Sequence, residues 1–360
     1  MKIALALSGG GHRAAAFHLG VMKYLAEHEL FESITDISST SGGSILVAQL
    51  FHSADEGLAW PTSETFLTHS LAYCKKQIVE DSLENSFIKR MFTPKNWSLV
   101  GHRANLMARA LKKLWGISKP MAALPAQPSW IINGTTNISG SHWYIEQKNK
   151  RCRMGSLDLG EIDSANFPIA DAVAISAAYP GIIGPYRLVN DAWDVYLSDG
   201  GLYDNLGLEP LFDIEQRALK QDIEADFLLV SDAGMGIKHK RLAPFWRPLL
   251  RTLRLIDVIN HQVRSLRLRT LLPFLALNPQ AGRYLAIGTQ SSDVVLSEPL
   301  AQKLEYYEFL TDEAVKEAKN TATSLANLSE VAFDNLLRHG YETALLNLSS
   351  LAPKQTVKAY

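Results

Sequence analysis

The chain opens on an apolar run at residues 3–7, cut off by Ser8-Gly9-Gly10-Gly11, and then changes period. Over residues 13–28 the apolar positions Ala14, Ala15, Phe17, Val21, Met22 and Leu25 recur near 3.6-residue spacing, which predicts a helix. Its small residues Ala14, Ala15, Ala16 and Gly20 suit close packing on a sheet. The pattern then repeats. Residues 34–39 predict a second short strand, and residues 44–51 a helix opening directly after Ser41-Gly42-Gly43. Strand, glycine turn, helix, strand, serine turn, helix is the alternation of an α/β fold with a parallel sheet.

From about 54 to 127 the pattern is helical, polar and basic, broken at Pro61, Pro94 and Pro120, and predicts a helical insertion over one sheet edge. Residues 130–136 and 142–147 predict paired strands returning to the core. Residues 168–178 predict a small-residue helix stopped by Tyr179-Pro180-Gly181. Strands are expected at 186–189 and 195–197 around an Asn190-Asp191 turn, and at 226–231. Residues 245–272 predict a long helix broken near Asn260, and residues 298–348 two helices around a polar middle. No repeat or linker divides the chain. Residues 1–232 are therefore expected to form the core, with 233–360 a helical portion packed on it in the same domain.

Composition changes this picture little: 360 residues, 47% hydrophobic and 20% charged, exclude a disordered or repetitive chain. Cys74 and Cys152 are far apart and in no metal or redox spacing, so free thiols in a reducing compartment are expected. The first apolar run is shorter than a secretory segment, and no run approaches the roughly 20 apolar residues of a membrane span. A cytoplasmic protein is the expectation. The net charge of −1 hides segregation. Residues 89–119 hold eight Lys or Arg and no acid, and residues 238–269 hold nine against Asp257 alone. Segments 88–114 and 245–272 mix these charges with aromatic and aliphatic residues, and Arg247, Arg251 and Arg254 share a helical face. That composition suits peripheral docking on a membrane surface; the competing reading is helices packed on their own core with solvated charges. No nucleic-acid motif accompanies the basic stretches, so no nucleic-acid partner is expected.

The candidate chemistry is acyl transfer. Ester hydrolysis by serine needs a nucleophile, a proton acceptor and preorganised donors for the oxyanion. Ser41, between a strand end and a helix start, is the candidate nucleophile, with Gly42 and Gly43 leaving room for a sharp turn. The first position of the usual G-x-S-x-G is Ser39 here. Gly9, Gly10 and Gly11 offer backbone N–H groups at a helix start, and Arg13 either orders that loop or holds a substrate phosphate. A nucleotide loop fits less well: no Gly-Lys-Ser/Thr follows, and G-x-G-x-x-G is met only with Ala14 in the last place. Asp199 precedes Gly200-Gly201 on a tight loop, with Asn205 placed to brace it. A carboxylate near its reference pKa of about 3.9 is a poor base for an alcohol, so a dyad without histidine requires a desolvated Asp199. The competing triad needs a late histidine, His239, His261 or His339. His12 and His18 flank the glycine loop without an identified carboxylate partner.

Taken together, Gly9-Gly10-Gly11-His12-Arg13, Ser39-Thr40-Ser41-Gly42-Gly43, Ala174-Ile175-Ser176-Ala177-Ala178-Tyr179-Pro180-Gly181 and Asp199-Gly200-Gly201 resemble the patatin-like phospholipase family. The resemblance runs over residues 2–207 in the family's order. It implies a three-layer α/β/α core and a lipid acyl hydrolase working through a Ser–Asp dyad, with Ser41 as nucleophile and Asp199 as proton acceptor. Gly9, Gly10, Gly11 and Arg13 match the oxyanion segment. Ala14 and Ser39 depart from the pattern, each small for small. The implied substrate is a phospholipid or other acyl lipid, with no metal or organic cofactor. An α/β-hydrolase esterase with a histidine, and a binding or regulatory protein on the same fold, are the alternatives.

Overall fold

A computed structural model describes residues 1–54, 58–180, 183–236, 243, 246–294 and 298–349. Gly181, His239 and Phe245, which the sequence reading uses, lie outside the described residues. The elements in chain order are β1 (Ile3–Leu7), α1 (Gly11–Glu27), β2 (Ile34–Ser39) and α2 (Gly42–His52). The insertion carries α3 (Ser63–Thr65), α4 (Leu71–Val79), α5 (Leu83–Met91) and α6 (Ala104–Leu114). The chain re-enters the sheet with β3 (Ser129–Thr136), β4 (His142–Lys148), β5 (Arg151–Ser156) and β6 (Gly160–Asp163), then forms α7 (Ile169–Ser176), β7 (Tyr186–Val189), β8 (Asp194–Asp199) and α8 (Gly201–Asp204). Two short strands, β9 (Phe212–Asp213) and β10 (Ala218–Leu219), precede β11 (Phe227–Asp232), α9 (Pro248–Leu277) and β12 (Gly282–Ala286). Helices α10 (Glu298–Lys303), α11 (Asp312–Asn320) and α12 (Glu330–Leu348) complete the described chain.

Ten strands form one mixed sheet, with main order β12-β11-β1-β2-β3-β4-β5-β6. The first five in this order pair in parallel, as strand–helix–strand crossovers require, and β4 to β6 continue as an antiparallel meander. β1 is buried on both faces: Ile3, Leu5 and Leu7 enter one apolar cluster, Ala4 and Ala6 the other. This is the expected three-layer α/β/α arrangement, with α1, α2, α7 and α12 on one side and α9 on the other. Helix α12 crosses α1 at Gly20 and Gly340. A Cβ at Gly340 would overlap the Phe17 carbonyl, and one at Gly20 the Leu337 carbonyl, so the two backbones touch only because both residues lack side chains.

Three expectations are corrected. Helix α9 runs for 30 residues without a break at Asn260. Strands β5, β6, β9, β10 and β12 were not predicted; β6 is almost wholly polar and solvent-facing, β9 and β10 are two residues each, and β12 is only half buried. Residues 298–348 form three helices rather than two.

Candidate active site

The register around β3 brings the two key loops together. On one edge β3 pairs with β4 through residues 130–135. On its other edge, residues 129–132 pair with β2 in parallel and residues 134–136 pair with β8 antiparallel. β2 and β8 therefore share one lane and approach head-on. Ser39 ends β2 opposite Ile132, and Asp199 ends β8 opposite Gly134. Two register positions, about 7 Å, separate the strand ends.

Ser41 follows β2 with φ 51° and ψ −114°, a left-handed backbone that a non-glycine residue adopts only when its surroundings hold it there. Those surroundings are specific. The Ser41 N–H donates to Ser176 Oγ at 2.9 Å, and Ser176 Oγ is 2.9 Å from Ser44 Oγ. Ser44 in turn meets Ser39 Oγ at 2.9 Å, and the Trp130 indole donates to Ser39 at 2.8 Å. Ser39, where a glycine is usual, is thus an internal member of a buried hydroxyl chain. Gly42 sits against the backbone of Gly11, whose carbonyl a Cβ would overlap, so the serine turn and the glycine loop are in direct contact.

Asp199 is buried, and its backbone is fixed on both sides: its N–H donates to the Ala178 carbonyl at 3.1 Å and its carbonyl accepts from Thr135 Oγ1 at 2.8 Å. Gly200 N–H donates to the Ser176 carbonyl at 3.2 Å. Residues 176–178 thus hold both loops, a role the sequence reading did not assign although it had singled out that stretch. The Gly201 N–H donates to Asp199 Oδ1 at 2.6 Å, while Oδ2 is buried with no hydrogen-bond partner among the described residues. Burial raises the Asp199 pKa to about 7, opposed by the Gly201 N–H and the nearby Ser41 hydroxyl. That hydroxyl lies close enough to favour the carboxylate without closing a hydrogen bond to it.

The glycine loop divides its donors. Gly9 N–H donates to the Asn205 carbonyl at 3.0 Å, so Asn205 ties this loop to the one that follows Asp199. Among the described residues the N–H groups of Gly10 and Gly11 have no partner. Arg13 is buried, with Nε and Nη2 donating to the Ala233 carbonyl at 3.2 and 2.9 Å and Nη1 to the Thr321 carbonyl at 2.8 Å. Its hydrogen bonds order the loop, and none is directed to a free anion site. Ser41, Asp199, Gly10 and Gly11 line one cavity of about 430 Å³, roofed by Tyr179, Ile183 and residues of α9.

The histidines separate. His18 is buried between Ser8 and Ser231, and His12 bonds the Ala326 carbonyl. His339 accepts the Gly288 N–H at 2.7 Å and does not line the cavity. His261 does line it, with Nδ1 buried and unpartnered among the described residues. His239 lies outside the described residues.

A mixed α/β sheet that sets a strained serine, a desolvated carboxylate and unpartnered amides around one cavity defines the class of fold and site. The chain belongs to the patatin-like phospholipase family, whose model matches residues 5–212. Among solved structures it is similar to human GIVD cytosolic phospholipase A2, with TM-score 0.56 and 12% identity over 98% of this chain and 62% of that one. The same human enzyme in complex with methyl gamma-linolenyl fluorophosphonate and terbium chloride gives TM-score 0.52 and 13% identity over 98% and 58%. VipD from Legionella pneumophila matches at TM-score 0.36 and 14% identity over 97% and 67%. The chain spans about three fifths of the length of the human enzyme chains, and at these identities the likeness shows the fold alone. No curated protein matched.

Proposed function

We propose that this chain is a lipid acyl hydrolase that cleaves carboxylic esters of phospholipids or lysophospholipids with a Ser41–Asp199 dyad. Ser41 attacks the ester carbonyl and gives its proton to Asp199 Oδ2, the unpartnered carboxylate oxygen. The Gly10 and Gly11 N–H groups stabilise the tetrahedral oxyanion, with Gly9 and Arg13 holding their loop and Gly42, Gly43, Gly200 and Gly201 giving the two turns their close approach. Asp199 returns the proton to the leaving alcohol, and water activated by the same carboxylate releases the acyl group. The residues that do this belong to one integrated domain, on whose core the described helices α9 to α12 pack.

The observation that carries the reading is the buried Asp199 carboxylate, its Oδ2 without a partner among the described residues, in one cavity with a serine held in a strained turn. A carboxylate at its ordinary pKa would make a weak base; desolvation supplies the missing basicity. A human structural neighbour was solved with a fluorophosphonate, and the same probe class tests Ser41. Wild type is expected to be labelled and Ser41→Ala not. Product mass spectrometry on mixed lipid vesicles is expected to show free fatty acid from wild type, and Asp199→Asn is expected to lower kcat by roughly 10²–10⁴-fold. Labelling that survives Ser41→Ala overturns the assignment.

One observation favours a second base, the cavity-facing and unpartnered His261 Nδ1. A triad predicts that His261→Ala loses rate as severely as Asp199→Asn; the dyad predicts a near-normal rate.

A further inference from the structure

The middle of α9, residues 254–266, is amphipathic in reverse. Arg254, Asp257, the adjacent Asn260 and His261, and Arg264 recur one helical turn apart and all line the cavity. On the other side Leu255, Ile259 and Leu266 are 58%, 57% and 59% exposed. At about 100° per residue these three fall within about 40° of one another, on the side away from Arg264. A helix resting on a soluble core turns its apolar stripe inward. Here the inward stripe is polar because it faces the cavity, and the apolar one forms a row about 17 Å long facing out. Isolated exposed leucines are ordinary, whereas an aligned row marks a surface that another apolar body covers.

We infer that this row is a membrane-docking surface: Leu255, Ile259 and Leu266 enter the headgroup boundary of an anionic bilayer with α9 lying in its plane. Charge selects the bilayer over a protein partner. Arg251 and Arg269 share an angular position beside the row and bracket it at either end. The only carboxylate of α9, Asp257, is turned to the cavity side, where it accepts a hydrogen bond from Tyr179 at 3.1 Å. The docking face is therefore not the one composed of Arg247, Arg251 and Arg254, since Arg254 lines the cavity. The inference rests on the lipid-hydrolase reading to this extent: docking holds the Ser41 cavity, on the opposite face of α9, about one helix diameter (roughly 10 Å) from the lipid surface.

The test is flotation of the full chain with phosphatidylcholine vesicles, with and without phosphatidylglycerol, alongside hydrolysis of a water-soluble short-chain ester. Leu255→Ser/Ile259→Ser/Leu266→Ser is expected to lower vesicle partitioning by about tenfold or more, leaving short-chain ester hydrolysis unchanged. Arg251→Gln/Arg269→Gln is expected to weaken binding only to vesicles containing phosphatidylglycerol. Unchanged short-chain activity shows that the triple variant folds; a matching thermal melt does so if the wild type has no esterase activity. Wild type that does not float, or a triple variant that floats like wild type, overturns the inference. So does a wild-type dimer that the triple variant dissolves, since a second copy then covers the row. Vesicle binding without hydrolysis of any ester defeats the proposed function and leaves the docking surface standing.

Discussion

In the proposed dyad, Asp199 couples activity to stability with opposite signs. Its native pKa of about 7 lies above the ordinary aspartate value of 3.8, so between these values the folded chain holds a proton that the unfolded chain has lost. Stability from this group is complete below the lower value and falls as pH rises through about 7. Asp199→Asn keeps an acceptor for Gly201 N–H and removes the buried charge. It is expected to raise stability above pH 7 by about 2–4 kcal/mol while abolishing most activity, read by urea denaturation beside turnover. In wild type, kcat/KM is expected to rise about tenfold per pH unit up to about 7 and then level, because only the carboxylate accepts the proton. A profile flat from pH 5 to 8 contradicts Asp199 as the base. Ser176 acts one step further out. Ser176→Ala leaves the Ser41 N–H and the Ser44 hydroxyl without their shared partner. A loss of about 1–2 kcal/mol is expected, with kcat reduced and KM little changed, since the turn loosens before the cavity does.

Between elements, the contact of α1 with α12 depends on two residues that have no side chain. Gly340→Ala sets a methyl group into the Phe17 carbonyl, and neither helix backbone can move without disturbing the buried core beneath. Destabilisation of about 2–3 kcal/mol is expected in thermal melts, although Gly340 does not line the cavity. Elements differ in how far the sequence disclosed them. β1 to α2 were legible because an apolar run, a turn of small residues and a 3.6-residue period are local signals. The meeting of Ser41 with Asp199 was legible only through the order of motifs, since β8 enters the β2 lane by a register that no local pattern encodes. Asn260 was misread as a break for a physical reason. The polar residues lining the cavity cancel the periodicity that marks a helix packed on apolar core, and the same residues make α9 face the wrong way round. Ser176 was visible as a small residue in a noticed stretch, but its hydrogen bond to Ser41 spans 135 positions and has no signature in either segment.

Across the whole molecule, buried histidines and raised carboxylates set competing demands on protons. His12, His18 and His339 are almost fully buried, and desolvation lowers each from 6.5 to about 4. Between those values the unfolded chain binds a proton at each of these sites and the folded chain does not, so stability is lost as pH falls from 6.5 toward 4. Asp199 opposes them over the same range, and burial also raises Asp36, Asp204 and Glu342. Those last three are partly held down by partners: Thr35 for Asp36, Arg267 for Asp204, and the Leu310 N–H for Glu342. Desolvation also lowers His142 to about 3, and His52 and His102 shift down as well, so the histidines prevail and stability climbs as pH rises from about 4 toward 6.5. The urea midpoint of wild type is expected to climb from pH 5 to pH 6.5 and flatten above 7. Because Asp199→Asn removes one opposing group, its curve is expected to climb more steeply, by about 1.4 kcal/mol per unit, over the same interval. Parallel curves for the two proteins mean that Asp199 titrates alike folded and unfolded, and the desolvated base on which the dyad depends is then absent.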